Sequence, residues 1–156
     1  MNMDVDREAL LSFVLKARTK MYAAAGGKVE SVFPGMDQLE YREGEFLDRD
    51  LYNNGKGVFM GLETVYLKER PIWSVSYYGD YRGMTEREVD RILRNALIEN
   101  QETTRLWRSV RWEHDGYAYT CTPDFEGSIE NMAGLEEITK EGKRIYHFLY
   151  AGGLLV

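Results

Sequence analysis

The chain has 156 residues, with 20 lysines and arginines against 26 acidic residues, a net charge of −6. That is the size of one domain, here taken as residues 1–156, long enough to close a core without a metal or a disulfide. The acidity argues against nucleic acid and anionic membranes as partners, the single cysteine, Cys121, excludes an intrachain disulfide, and no run approaches the roughly 20 apolar residues of a membrane helix.

The start is acidic, with Asp4, Asp6 and Glu8 where an export signal carries basic residues, so the expected location is cytoplasmic. Asp6 to about Tyr22 reads as a first helix. Leu10, Leu11, Val14 and Leu15 follow the three-four spacing with Arg18 as the polar exception, Asp4 or Asp6 caps the start, and the glycines of Ala23–Gly27 end it. Residues 28–38 read as loop. Leu39 to Tyr52 packs seven charges among bulky residues, which predicts an exposed or edge hairpin, with Glu43, Glu45, Asp48 and Asp50 on a solvated face. Asn53–Gly57 is a turn by composition, and Val58–Leu67 and Pro71–Tyr81 are two strands. Thr85 and Glu88 form a capping box ahead of the stripe Val89, Ile92, Leu93, Ala96 and Leu97, so a second helix starts there and extends towards Trp107 after a break near Asn100. From Arg111 onward strands return, over Tyr117–Thr122, near Ser128–Met132, Leu135–Thr139 and Arg144–Tyr150.

A repeat organises these elements. Gly61-Leu62-Glu63-Thr64-Val65 aligns with Gly134-Leu135-Glu136-Glu137-Ile138, and the alignment runs without a gap through Ile72-Trp73 and Ile145-Tyr146 to Tyr77-Tyr78-Gly79 and Tyr150-Ala151-Gly152, always 73 residues apart. The expected fold is α+β, an antiparallel sheet with two main helices, built as two pseudo-symmetric αβ halves of about residues 1–82 and 83–156.

Eleven tyrosines, six phenylalanines and three tryptophans concentrate in the strand regions. By period two, Trp73, Val75 and Tyr77 share one face, as do Tyr146, Phe148 and Tyr150. Ile72, Ser74, Ser76 and Tyr78 take the other, with Ile145, His147, Leu149 and Ala151. The aromatic face serves either as core or as the wall of a pocket for a planar or cationic ligand. Glu63 and Glu136 each fall on a largely apolar face, where a carboxylate either satisfies a turn or an arginine, or works in a cleft. The candidate ligand-binding residues are therefore Glu63, Trp73, Tyr77, Glu136, Tyr146 and Tyr150.

Other chemistry is poorly represented. Ser74 and His147 occupy equivalent repeat positions, but no G-x-S-x-G elbow accompanies them. His114-Asp115 and the lone Cys121 lack zinc spacing, so no metal and no cofactor are expected. Gly26-Gly27-Lys28 follows a helix, whereas a phosphate loop opens one. Seven arginines between positions 82 and 111 face five acids, too balanced for a nucleic-acid footprint.

The motifs Tyr41-Arg42-Glu43-Gly44-Glu45-Phe46, Phe59-Met60-Gly61-Leu62-Glu63, Pro71-Ile72-Trp73 and Tyr77-Tyr78-Gly79 resemble a bacterial family of domains of unknown function. The resemblance implies domains found alone or fused to XRE-type helix-turn-helix regulators, with no activity to carry over, and this chain shows no helix-turn-helix pattern of its own. The leading expectation is a non-catalytic cytoplasmic domain that binds or senses a small organic ligand, by analogy with duplicated gyrase-inhibitor-like ligand domains. A small hydrolase or isomerase using Glu63 or Glu136 as general base is one alternative. A protein-interaction module is another, and a homodimer is left open.

Overall fold

The computed structural model describes residues 4–23, 26–100 and 105–156. Parts of two expected features, the helix ending at Ala24 and Ala25 and the continuation over residues 101–104, lie outside the described residues.

Helix α1 (Arg7–Arg18) starts where its sequence provides a cap. The Asp6 carboxylate accepts from the backbone N–H groups of Glu8, at 3.0 Å, and Ala9, at 3.1 Å. Leu10, Phe13, Val14 and Ala17 form its buried stripe, and Arg18 is buried with them. A π-helical turn, Thr19–Ala23, follows. The second helical run is α2 (Glu86–Glu88), a π-helical stretch (Val89–Leu93) and α3 (Arg94–Glu99). Both halves of its capping box form: the Glu88 N–H donates to Thr85 Oγ1, at 3.2 Å, and the Thr85 N–H to Glu88 Oε2, at 2.8 Å. A short 3₁₀ turn, Arg105–Trp107, precedes the second group of strands.

Nine strands make one antiparallel sheet: β1 (Lys28–Val29), β2 (Asp37–Glu43), β3 (Phe46–Asn54), β4 (Val58–Leu67), β5 (Arg70–Asp80), β6 (Val110–His114), β7 (Tyr117–Pro123), β8 (Asn131–Lys140) and β9 (Lys143–Leu154). Their order across the sheet is β1-β2-β3-β4-β5-β9-β8-β7-β6. The chain is therefore α+β, with two helical runs against one sheet. The helices contribute Leu10, Phe13, Val14, Ile92 and Ala96 to the same buried cluster as Val65, Trp73, Tyr119, Ile138 and Tyr146 from the strands. Burial of that apolar surface stabilises the fold at about 25 cal/mol per Å².

The central ladders share a register. Gly61 pairs with Tyr77 and Gly134 with Tyr150, and Tyr77 pairs in turn with Tyr150 where β5 meets β9. A register shift after Val65 recurs after Ile138. It corrects the period-two reading of Ile72 and Ile145. Each is the extra residue of a bulge, which breaks the alternation; Ile72 joins the core cluster and Ile145, half-buried, packs against it instead of facing away.

The hairpin of β2 and β3 is not the exposed edge its charges predict. β1 covers β2, and β3 lies between β2 and β4. Glu43 and Glu45 are exposed as expected, but Asp48 and Asp50 are fully buried. Alternation explains the split: Phe46, Asp48, Asp50 and Tyr52 share the inward face, while Leu47, Arg49 and Leu51 point outward, so apolar content alone does not reveal which face is core.

Candidate functional site

The inward positions of the central strands, together with the helices, line a cavity of about 390 Å³ that opens to solvent. Strands supply Asp50 from β3, Phe59 and Glu63 from β4, Tyr77 from β5, Glu136 from β8, and Tyr146 and Phe148 from β9. The first helix and its π-turn add Arg18 and Met21, and the second helical run adds Val89, Leu93 and Leu97.

Two glycines let tyrosines of the central strands pack flat on the sheet. A β-carbon on Gly61 would come 2.6 Å from the Tyr77 hydroxyl, and one on Gly134 would come 2.6 Å from the Tyr150 hydroxyl. Each tyrosine thus lies flat across a bare glycine and reaches the strand beyond. Tyr77 donates to Asp50 Oδ1 at 2.6 Å, and the Tyr150 hydroxyl sits 3.4 Å from Cys121 Sγ. The Gly and Tyr of the repeat motif are one packing device. Phe59, Tyr77 and Phe148 are half-buried, with ring centroids 5.4 to 6.0 Å apart, and turn partly exposed rings to the cavity.

Charge is concentrated on the first-half side. Arg18 grips Glu63 with two donors, Nη2 to Oε2 at 3.0 Å and Nε to Oε1 at 3.3 Å, and both groups are almost wholly buried. Its guanidinium also lies 5.5 Å from the centre of the Trp73 ring. Behind this pair stands Asp48, whose two oxygens meet no hydrogen-bond donor. Burial holds its proton affinity well above the usual carboxylate range; the neighbouring Glu63 and Asp50 charges add to this, and Arg18 opposes it. The folded surroundings of Asp48 therefore favour its protonated form. Burial, then the neighbouring Asp50, likewise push the Tyr77 phenol far above its ordinary value, so it stays a neutral donor.

Of the six residues singled out from the sequence, Glu63, Tyr77, Glu136 and Tyr146 line this cavity together. Trp73 and Tyr150 fall outside the lining: Trp73 is sealed in the core with its indole N–H on the Ile129 carbonyl, at 2.9 Å, and Tyr150 is buried beside Cys121. Ser74 and His147 do not meet. Ser74 pairs with Gly153 and His147 with Asp80, six residues apart along the β5–β9 ladder, about 20 Å at strand spacing. Arg18, Asp48, Asp50 and Phe59 were missed, since their importance comes from partners on other elements. Among the described residues no group of three His, Cys, Asp or Glu side chains is arranged to hold a metal ion, and no helix is long and apolar enough to cross a membrane.

Residues 50–155 match the family DUF5680, a domain of unknown function. No curated protein and no solved structure matches the chain.

Proposed function

Since the chain belongs to the DUF5680 family, which is defined without an activity, we propose from the geometry that it is a non-catalytic domain that binds or senses a small organic ligand in the cavity of about 390 Å³. The observation that carries this reading is the cavity wall itself. It places three half-buried aromatic rings beside buried carboxyl groups, within the size range of small-molecule pockets. Ring faces and carboxyls together favour a ligand with a planar or cationic part. A general-base role for Glu63 has less support, because Arg18 engages both of its oxygens. The single thiol, Cys121, is buried, in keeping with action in the reducing cytoplasm.

The same reading treats the two central hairpins as copies related by a pseudo-twofold between Tyr77 and Tyr150. Its support is the common glycine–tyrosine register, the matching bulges, and the same tyrosine-over-glycine contact in each.

Thermal-shift screening with amines, nucleobases and aromatic acids tests the function. A ligand at a hundredfold excess over its Kd stabilises by about 2.7 kcal/mol, which raises the Tm of a chain this size by roughly 5–10 °C. Leu97→Trp, which fills the cavity from its helical side, abolishes that shift while leaving the protein folded. If no class raises the Tm, or if the shift survives Leu97→Trp, the reading is wrong.

A further inference from the structure

Arg18 has a donor group to spare. It spends Nε and Nη2 on the two oxygens of Glu63, at 3.3 and 3.0 Å. That side-on grip uses one edge of the planar guanidinium, so Nη1 points away from Glu63. Nη1 makes no hydrogen bond among the described residues. The side chain is only 9% exposed, and it lines the cavity. A nearly buried N–H group without an acceptor is costly, and native structures keep such groups for a water or a ligand.

An acceptor stands beside the same glutamate. Asp50 faces Glu63 directly across the β3–β4 ladder, which puts their β-carbons about 5 Å apart. Asp50 is buried, lines the same cavity, and takes the Tyr77 hydroxyl on Oδ1 at 2.6 Å. A carboxylate offers about four acceptor positions, so the tyrosine does not exhaust it.

On the reading that the cavity binds a small ligand, we propose that the ligand is a neutral planar heterocycle with a lactam edge, the adjacent C=O and N–H of an oxo-purine or oxo-pyrimidine. Its carbonyl accepts from Arg18 Nη1 and its N–H donates to Asp50. The rings of Phe59, Tyr77 and Phe148, with centroids 5.4 to 6.0 Å apart, border the same cavity and pack against its faces.

Simpler ligands satisfy one of the two groups and offend the other. An amine donates to Asp50, but it has no acceptor for Nη1 and sets its charge beside the guanidinium. A carboxylate accepts from Nη1, but it meets the buried carboxyl groups of Asp50 and Glu63. A lactam answers both and brings no further charge out of water.

Isothermal titration calorimetry of the full chain with hypoxanthine, 1-methylhypoxanthine, tryptamine and indole-3-acetate tests the proposal. Hypoxanthine is expected to bind. The methyl compound, which has lost the N–H, is expected to bind about tenfold more weakly or worse. Asp50→Asn keeps an acceptor for Tyr77 and is expected to erase that difference by weakening hypoxanthine. Equal binding of the two purines by the wild type overturns the proposal, because stacking alone then accounts for it. So does a difference that survives Asp50→Asn. If the variant does not fold, purine, which lacks the carbonyl, decides on the wild type: it should bind about tenfold more weakly than hypoxanthine, and equal binding overturns the proposal. If hypoxanthine fails while tryptamine or indole-3-acetate binds, and Leu97→Trp abolishes that binding, the cavity reading stands and the lactam assignment falls. If no probe binds, the lactam assignment falls as well, and the wider thermal-shift screen decides the cavity reading.

Discussion

At Asp48, burial acts on a carboxyl group with no donor beside it. It is fully buried, has no donor to neutralise it, and stands next to Glu63, which Arg18 already holds. Its proton affinity is raised in the folded chain relative to the unfolded one, burial being the first cause. The folded state therefore binds more protons than the unfolded state from about pH 4, the ordinary aspartate value, upward to the raised folded value. Stability falls as pH rises through that window. Asp48→Asn keeps the shape, cannot ionise, and can donate an N–H to Glu63, a charge-assisted bond of about 1.5–3 kcal/mol. The variant is expected to be more stable than wild type at neutral pH, with the difference shrinking towards pH 4. Urea titrations at several pH values measure this, and parallel profiles for the two proteins would show that Asp48 carries no such burden. None of it is visible locally in the sequence. Arg18 reads only as a polar exception in an apolar stripe, because Glu63, the residue that explains it, is 45 positions away.

At the scale of elements, what depends on neighbouring residues was legible and what depends on pairing was not. The Thr85–Glu88 capping box and the limits of β4 follow from short-range rules, and they stand as expected. The bulges at Ile72 and Ile145 and the inward turn of Asp48 and Asp50 depend on register with a second strand, which alternation in one strand does not specify. The turn between β4 and β5 is a further case. Lys68 and Glu69 both have positive φ, at 51° and 65°, in a two-residue hairpin turn, a conformation that suits Asn-Gly and costs other residues roughly 1 kcal/mol each. The matching turn between β8 and β9 places Gly142 at its second position. Glu69→Gly should therefore stabilise the chain by about 0.5–1 kcal/mol, after the extra freedom that glycine gives the unfolded state. An upward shift of the urea midpoint with an unchanged slope would be the signature; a downward shift would mean that the Glu69 side chain contributes more than its backbone strain costs.

For the whole molecule the relevant link is between the second helical run and the sheet, and it passes through Glu88. This carboxylate caps the helix at Thr85, accepts from the Tyr117 hydroxyl of β7 at 2.7 Å, and meets Lys140 Nζ of β8 at 2.9 Å. The Thr85 N–H, the Tyr117 hydroxyl and Lys140, in that order, lower its pKa to about 2. The sign is opposite to that of Asp48. A depressed carboxylate contributes its stability above the unfolded value and loses it as pH falls through the folded one, here from about 4.5 down to about 2. Asp80, also lowered to about 2 by hydrogen bonds from Arg82, acts in the same direction. Stability should therefore climb from pH 2 to about 4.5 as these two groups ionise, then decline where Asp48 is forced to hold its proton. Glu88→Gln should flatten the acid limb and leave the decline on the alkaline side in place, because Asp48 lies in the other group of strands. Melting curves from pH 2 to 8 distinguish the two limbs. An acid limb unchanged by Glu88→Gln would mean that the helix is held to the sheet by its apolar stripe alone, Ile92 and Ala96 against the core, and that the carboxylate network is a surface feature without thermodynamic weight.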